Sequence, residues 1–248
     1  MDLEFSKVLV FCPHPDDAEF MCGGTLAKWA SEGKEIKLCV VTNGAHGSND
    51  PKVERRWLIE TREKEQREAA SITGISSVEF LGFEDGHVED SHELRREMIR
   101  QIRSFKPEVV IGPDPSMFYF APWYLNHPDH KRVGEAFTAA VNPGATTVPL
   151  YREDLYDKGY EPHQVTVCLL GFTTSPDYFV DITEHIETKI ASIMAHVTQT
   201  PEFRPETDTR IKDMAAAIGA ASDGGFKYAE GYKYFFFEKG TIPAESEA

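Results

Sequence analysis

The chain has 248 residues, enough for one sizeable core, and no linker-like stretch argues for a second domain. Its 26 basic and 41 acidic residues give a formal net charge of -15, which disfavours the phosphate backbone of nucleic acid and anionic membrane surfaces. A small neutral or cationic ligand fits that balance better.

No apolar stretch approaches the ~20 residues needed to span a bilayer. The start, MDLEFSKVLVF, lacks the basic region and small-residue cleavage site of a signal peptide, so the expected location is the cytoplasm. Cys12, Cys22, Cys39 and Cys168 lie in or beside apolar runs with no CxxC pair, and are expected to be buried free thiols. Cys12 and Cys22 flank the first motif below, where soft metal ligation is the alternative to packing.

In chain order, the apolar runs KVLVFC, IKLCVVT, VEFLGF and EVVIG are continuous rather than alternating and are bounded by Gly, Pro or Asp. That is the pattern of parallel strands covered on both faces. Helical spacing lies between them, over Thr25–Glu32, then Val53–Thr73 ending at Gly74, then Leu94–Phe105 ending before Pro107. The first half thus reads β-α-β-α-β-α-β, an α/β fold with a Rossmann-like, mostly parallel sheet and helices on both faces. KRVGEAFTAAV continues as a helix, followed by an irregular excursion over 142–164. Two more strands, QVTVCLLGF and DYFVDI, lead to a helix capped near Asp181 with Ile182, Ile186, Ile190, Ile193 and Val197 along one face. A last helix at Ile211–Ala221 and an aromatic strand, YKYFFFE, belong to the same single domain over 1–248, with 241–248 expected as a mobile tail.

The chemistry concentrates in two short blocks. HPDDAE, His14 to Glu19, follows the first strand, and NHPDH, Asn126 to His130, precedes a helix. Ligands of open α/β sheets bind at such strand-to-helix loops, so both blocks can face one crevice. Imidazole plus carboxylate suits a borderline divalent metal, and three protein ligands leave a position open, as in catalytic zinc sites. His14 and Asp17, three apart in a turn, can converge on one ion, with His130 rather than His127 completing the set. Adjacent aspartates cannot easily both ligate the ion, which leaves Asp16 as a general base. His127, with Asp129 near enough to orient its ring, suits oxyanion stabilisation. Glu19 reads as a carboxylate behind the ligands or at a helix N-terminus. Gly23, Gly24 and Thr25 lack the ending of a P-loop and the spacing of a dinucleotide fingerprint, so close helix packing is the expected use.

The segments HPDDAEFMCGGTLAKWASEGKEIKLCVVTNGAHGS, TREKEQREAA, VEFLGFEDG, LRREMIRQIRSFKPEVVI, NHPDHKRVGEAF, VDITEHIETKIASIMAHVTQT and YAEGYKYF together resemble the PIG-L/LmbE-like family of zinc-dependent N-acetylglucosaminyl deacetylases. The resemblance covers nearly the whole chain. It implies one zinc ion on His14, Asp17 and His130, Asp16 as base, and His127 with Asp129 behind it in transition-state stabilisation. It also implies Arg62 and Asp85 as sugar-contacting residues, which would otherwise read as an exposed helix charge and a turn aspartate. His196 and Gln199 match the family's HxSQ segment, with Thr198 in place of Ser; without the resemblance His196 reads as a packed or capping histidine. The chain departs from the pattern twice. After VTNG, members often carry an acid where Ala45 and His46 stand here, and the tyrosine that some members place two residues before the first histidine of HPDH is here Leu125, next to Tyr124.

The expected activity is removal of an acetyl or similar small acyl group from an N-acylated amino sugar or its conjugate. The irregular Pro143–Gln164 segment is expected to wall the pocket. A non-haem iron oxygenase using the same two histidines and one carboxylate, or a catalytically silent sugar-binding module, is the alternative. Retention of Asp16 beside three intact ligands argues against a silent module. A small-molecule substrate is the expected partner, with neither nucleic acid nor membrane, and a homo-oligomer is compatible with the sequence.

Overall fold

The computed structural model describes residues 4–122, 124–200 and 205–238; the tail at 241–248 lies outside the described residues. The elements follow one another as β1 (Lys7–Cys12), α1 (Asp17–Ser31), β2 (Glu35–Thr42), α2 (Arg55–Thr73), β3 (Ser77–Phe83), α3 (His92–Phe105) and β4 (Val109–Pro113). Next come β5 (Tyr119–Ala121), β6 (Tyr124–Leu125), α4 (Pro128–Ala139), β7 (Val167–Gly171), β8 (Tyr178–Asp181), α5 (Ile186–Met194), α6 (Pro205–Ala221) and β9 (Ala229–Phe236). Seven strands form one sheet in the order β3-β2-β1-β4-β7-β9-β8. β1 to β4 and β7 run parallel, and β9 is antiparallel to both β7 and β8, so the expected mostly parallel sheet is present.

Side chains of β1 alternate between two apolar layers. Val8, Val10 and Cys12 join Leu26, Trp29, Ile186, Ile190 and Ile193 on one face, while Leu9 and Phe11 join Met98, Ile102, Val133 and Phe137 on the other. Both faces are thus covered, which is why the strands read as unbroken apolar runs. The chain winds outward from β1 through β2 to β3, then returns to β4 on the far side of β1. In sheets of this kind the region above the carboxyl ends of β1 and β4, where the winding reverses, is the usual place for a ligand.

Several boundaries differ from the sequence reading. α1 begins at Asp17, eight residues before Thr25, so HPDD is itself the entry into the helix. α3 starts at His92 because the Ser91 side chain accepts the Leu94 N–H at 3.2 Å. Asp181 caps a short 3-10 turn at Thr183–His185, and α5 follows; Val197 falls beyond the helix end and is 60% exposed, off the buried isoleucine face. The antiparallel β5–β6 hairpin ahead of NHPDH was not among the expected strands, although Phe118, Tyr119, Phe120 and Tyr124 are strand-favouring residues. The 142–164 excursion packs along α3, where buried Arg103 donates to the carbonyls of Gly144, Ala145 and Thr147.

Gly24 sits where an added Cβ would lie 2.7 Å from Ile182, so close packing is indeed its use. A second device operates there. An undisturbed helix pairs the Gly24 N–H with the Phe20 carbonyl. Here Glu230 of β9 accepts the Gly24 and Thr25 N–H groups at 3.0 and 2.7 Å, while Lys189 of α5 donates to the Phe20 carbonyl at 2.8 Å. Lys189 and Glu230 also pair with each other, at 7% and 4% side-chain exposure. This buried clamp ties α1, α5 and β9 together beneath the crevice. All four cysteines are free and buried, as expected.

Candidate metal centre and its surroundings

β1 delivers His14 to the crevice, and the turn after it delivers Asp17 as the first residue of α1. The Asp17 N–H donates back to the His14 carbonyl at 3.3 Å, and Asp17 Oδ2 accepts the His14 N–H at 2.8 Å. The two side chains therefore meet: His14 Nδ1 lies 3.0 Å from Asp17 Oδ2. α4 opens with Pro128 at its first position, which has no N–H to leave unsatisfied, and it turns His130 inward. His130 Nε2 lies 3.2 Å from Asp17 Oδ1, and its ring stacks on Phe172 at 5.4 Å. His14, Asp17 and His130 offer donor atoms that all lie within 4.8 Å of one another. Donors held about 2.0–2.2 Å from one tetrahedral ion stand roughly 3.3–3.6 Å apart, so the set fits a divalent metal in both chemistry and spacing.

A second group, His14, Asp85, His127 and Asp129, meets the same distance test. Its carboxylates have other work. Asp85 Oδ2 accepts the His46 N–H at 2.9 Å, and Asp129 accepts the Gly86 N–H at 2.7 Å and the Val88 N–H at 3.4 Å. Each also places an oxygen 3.2 Å from His14 Nε2. Two carboxylates thus hold the far nitrogen of His14 and orient its ring toward Asp17, the usual arrangement behind a ligating histidine.

His127 caps α4: its Nδ1 accepts the Asp129 N–H at 3.3 Å, whereas the Asp129 carboxylate is 3.9 Å away. The expected orientation of His127 by Asp129 therefore runs through the backbone, and the carboxylate serves His14 instead. With Nδ1 accepting, a neutral His127 carries its proton on Nε2. Burial and the charge of His14 lower the His127 pKa, favouring that neutral ring.

Asp16 stands apart from the donor set at φ 106°, ψ -28°, a left-handed conformation that residues other than glycine rarely adopt. Burial pushes its carboxyl up to about 7, the Asp17 charge adds to this, and Arg62 opposes it. For Asp17, burial raises the pKa, but His130 and His14 outweigh it and hold the carboxyl well below the usual range.

Arg62 is only 3% exposed. Its Nη2 donates to the Pro15 carbonyl at 2.6 Å and to Asp16 Oδ2 at 3.3 Å, and its Nη1 donates to the Gly44 carbonyl at 3.0 Å. The guanidinium thus straps the HPDD turn to the loop after β2. Gly44, at φ 63°, and Gly47 make room for it: a Cβ at Gly47 would lie 2.3 Å from Arg62 Nη1. Asp85 is likewise buried, at 4% exposure. Behind this layer, Gln66 accepts the Asp16 N–H at 3.0 Å and donates to Glu19 at 2.8 Å, and Glu19 meets His196 Nε2 at 3.2 Å. Glu19 and His196 therefore belong to one network, and Gln199 donates to the Gly47 carbonyl at 3.2 Å nearby. Sequence reading passed over Gln66. The signal was its position four residues after Arg62, on the same face of α2.

The match of residues 9–141 to the model of the PIG-L GlcNAc-PI de-N-acetylases decides the relationship. The chain belongs to that family. A diacetylchitobiose deacetylase of Thermococcus kodakarensis is 31% identical over 232 residues, covering 93% of this chain and 84% of the relative. A probable N-acetyl-alpha-D-glucosaminyl L-malate deacetylase 2 of Bacillus anthracis is 28% identical over 198 residues, covering 77% and 80%. The N,N'-diacetylchitobiose deacetylase structure from Pyrococcus horikoshii superposes with a TM-score of 0.84 at 29% identity, covering 94% of this chain and 84% of that one. These PIG-L relatives are deacetylases, and neither the oxygenase nor the silent module gains support from them. Among the described residues, no helix is long and apolar enough to cross a membrane.

Proposed function

We propose that this PIG-L protein is a zinc-dependent N-deacetylase acting on an N-acetylated amino sugar or its conjugate, with acetate and the free amine as products. One observation carries the reading: His14, Asp17 and His130 converge as a donor set while Asp16, the other aspartate of the same turn, stays outside it with its own cation. The ion would be held by His14 Nδ1, the Asp17 carboxylate and His130 Nε2. When bound, it supplies Lewis-acid polarisation of the amide carbonyl and a water of pKa about 7.

The chain's own residues do the rest. Asp16 accepts a proton from the attacking water and returns it to the amide nitrogen as the C–N bond breaks, so the amine leaves neutral. Burial raises the Asp16 carboxyl above the ordinary carboxylate range, which makes it a better proton carrier than an exposed aspartate. His127, with 45% of its side chain exposed, offers its Nε2–H as a hydrogen-bond donor to the carbonyl oxygen as negative charge develops there. Asp85 and Asp129 keep His14 oriented. The family resemblance supports sugar contact by Arg62 and Asp85, whose hydrogen bonds in the structure go to the protein itself. Four buried thiols support a cytoplasmic setting. An amine-release screen across N-acetylglucosamine conjugates with zinc-loaded protein tests the reading.

A further inference from the structure

We infer that Gln66 is a positioning residue: its carboxamide holds the Asp16 backbone in the conformation that aims the Asp16 carboxylate beside the metal donors, and Glu19 and His196 fix the orientation of that carboxamide. The inference rests on the reading of Asp16 as the base.

Asp16 lies at φ 106° without a side-chain cap of its own, so something outside the turn must hold it there. Its N–H donates to Gln66 Oε1 at 3.0 Å. Because an amide N–H can only donate, the Gln66 oxygen must face Asp16, and its NH2 must then face Glu19. It does so at 2.8 Å from Glu19 Oε1. A carboxylate only accepts, so the remaining Glu19 oxygen needs a donor, and His196 Nε2 stands 3.2 Å from it. Turning any one of these groups around would set donor against donor or acceptor against acceptor. The three side chains are 0–1% exposed and come from α1, α2 and the segment after α5, so water cannot substitute for a missing partner from outside. Arg62, one turn earlier on α2, holds the Pro15 carbonyl and the Asp16 carboxylate. α2 therefore grips the base at both ends: the guanidinium at the side chain, the carboxamide at the backbone. Among the described residues, no hydrogen bond joins Gln66, Glu19 or His196 to the side chains of His14, Asp17 or His130.

The test is a double-mutant cycle on the metal-loaded enzyme, using Gln66→Met, which keeps the length of the side chain and removes both hydrogen bonds. The expected result is full metal content and a kcat lowered roughly 10-fold to 10²-fold, the scale of a small misplacement of a reacting group, with KM nearly unchanged. In an Asp16→Asn background, Gln66→Met should have little further effect, because it acts through Asp16. The same loss in both backgrounds, a loss carried by KM, or loss of the metal would overturn the inference. Glu19→Gln, which preserves shape, provides a second variant should Gln66→Met fail to fold, and the same split is expected. If the wild-type protein deacetylates no sugar, the functional reading alone fails and a crystal structure of Gln66→Met decides: Asp16 leaving the positive-φ region supports positioning, and Asp16 retained near 106° refutes it.

Discussion

Asp16 and Asp17 are neighbours in the chain and opposites in environment. Asp17 sits between two imidazoles, while Asp16 faces Arg62 from a left-handed turn. Exchanging each for asparagine should therefore separate two functions. Asp17→Asn removes one anionic donor and should mainly weaken metal binding. Asp16→Asn should keep the metal and lose turnover by roughly 10²-fold or more, the usual scale for a general base. Metal content by elemental analysis, measured beside kcat, checks both, and equal metal loss in the two variants would mean that their roles are wrongly assigned. His14, Asp17 and His130 were legible in the sequence because two HPD blocks stood at strand-to-helix junctions. Arg62 stood out only through the family resemblance, since TREKEQREAA by itself reads as a solvated helix face. Its burial becomes possible only when Pro15, Gly44 and Asp16 supply oxygens from two distant loops. Gln66 was hidden for the same reason.

At the scale of elements, the four parallel strands of the first half declared themselves through unbroken apolar runs, because helices cover both faces of the sheet. The start of α1 did not. Its first turn is built from Asp17, Ala18 and Glu19, residues whose place in the helix is fixed by the Gln66 and His14 contacts rather than by apolar spacing. The Lys189–Glu230 clamp was equally silent, since neither residue carries a local signal of burial. It yields a clear expectation. Lys189→Met removes the cation and leaves Glu230 buried with only neutral donors, which should cost about 3–5 kcal/mol. A urea unfolding midpoint measured against wild type checks this, and a change under about 1 kcal/mol would show the pair to be dispensable. The anchorage of the 142–164 excursion along α3 was not legible either, because it depends on buried Arg103 reaching carbonyls 41 to 44 residues away.

For the whole molecule, the sheet order places β1 and β4 side by side, so the crevice, the donor set and the family relationship coincide at one point. Near that point Ala45 is buried, the His46 N–H donates to Asp85, and Leu125 is 79% exposed on the hairpin. With Ala45 and His46 where relatives often carry an acid, the enzyme is expected to keep the N-acetylglucosamine unit and to differ in its preferred attached group from relatives that have one. Relative kcat/KM for free N-acetylglucosamine, its oligomers, and its inositol, malate and aryl glycosides measures this, and a ranking identical to that of an acid-bearing relative would remove Ala45 and His46 from the account. The most direct measurement is acetate release over the same panel by zinc-loaded, chelator-stripped and zinc-restored protein. Acetate and free amine are expected in equal amounts from at least one sugar, abolished by stripping and recovered on restoring zinc. Undiminished activity without metal would contradict this expectation, as would acetate from an N-acetylated amino acid but from none of the sugars.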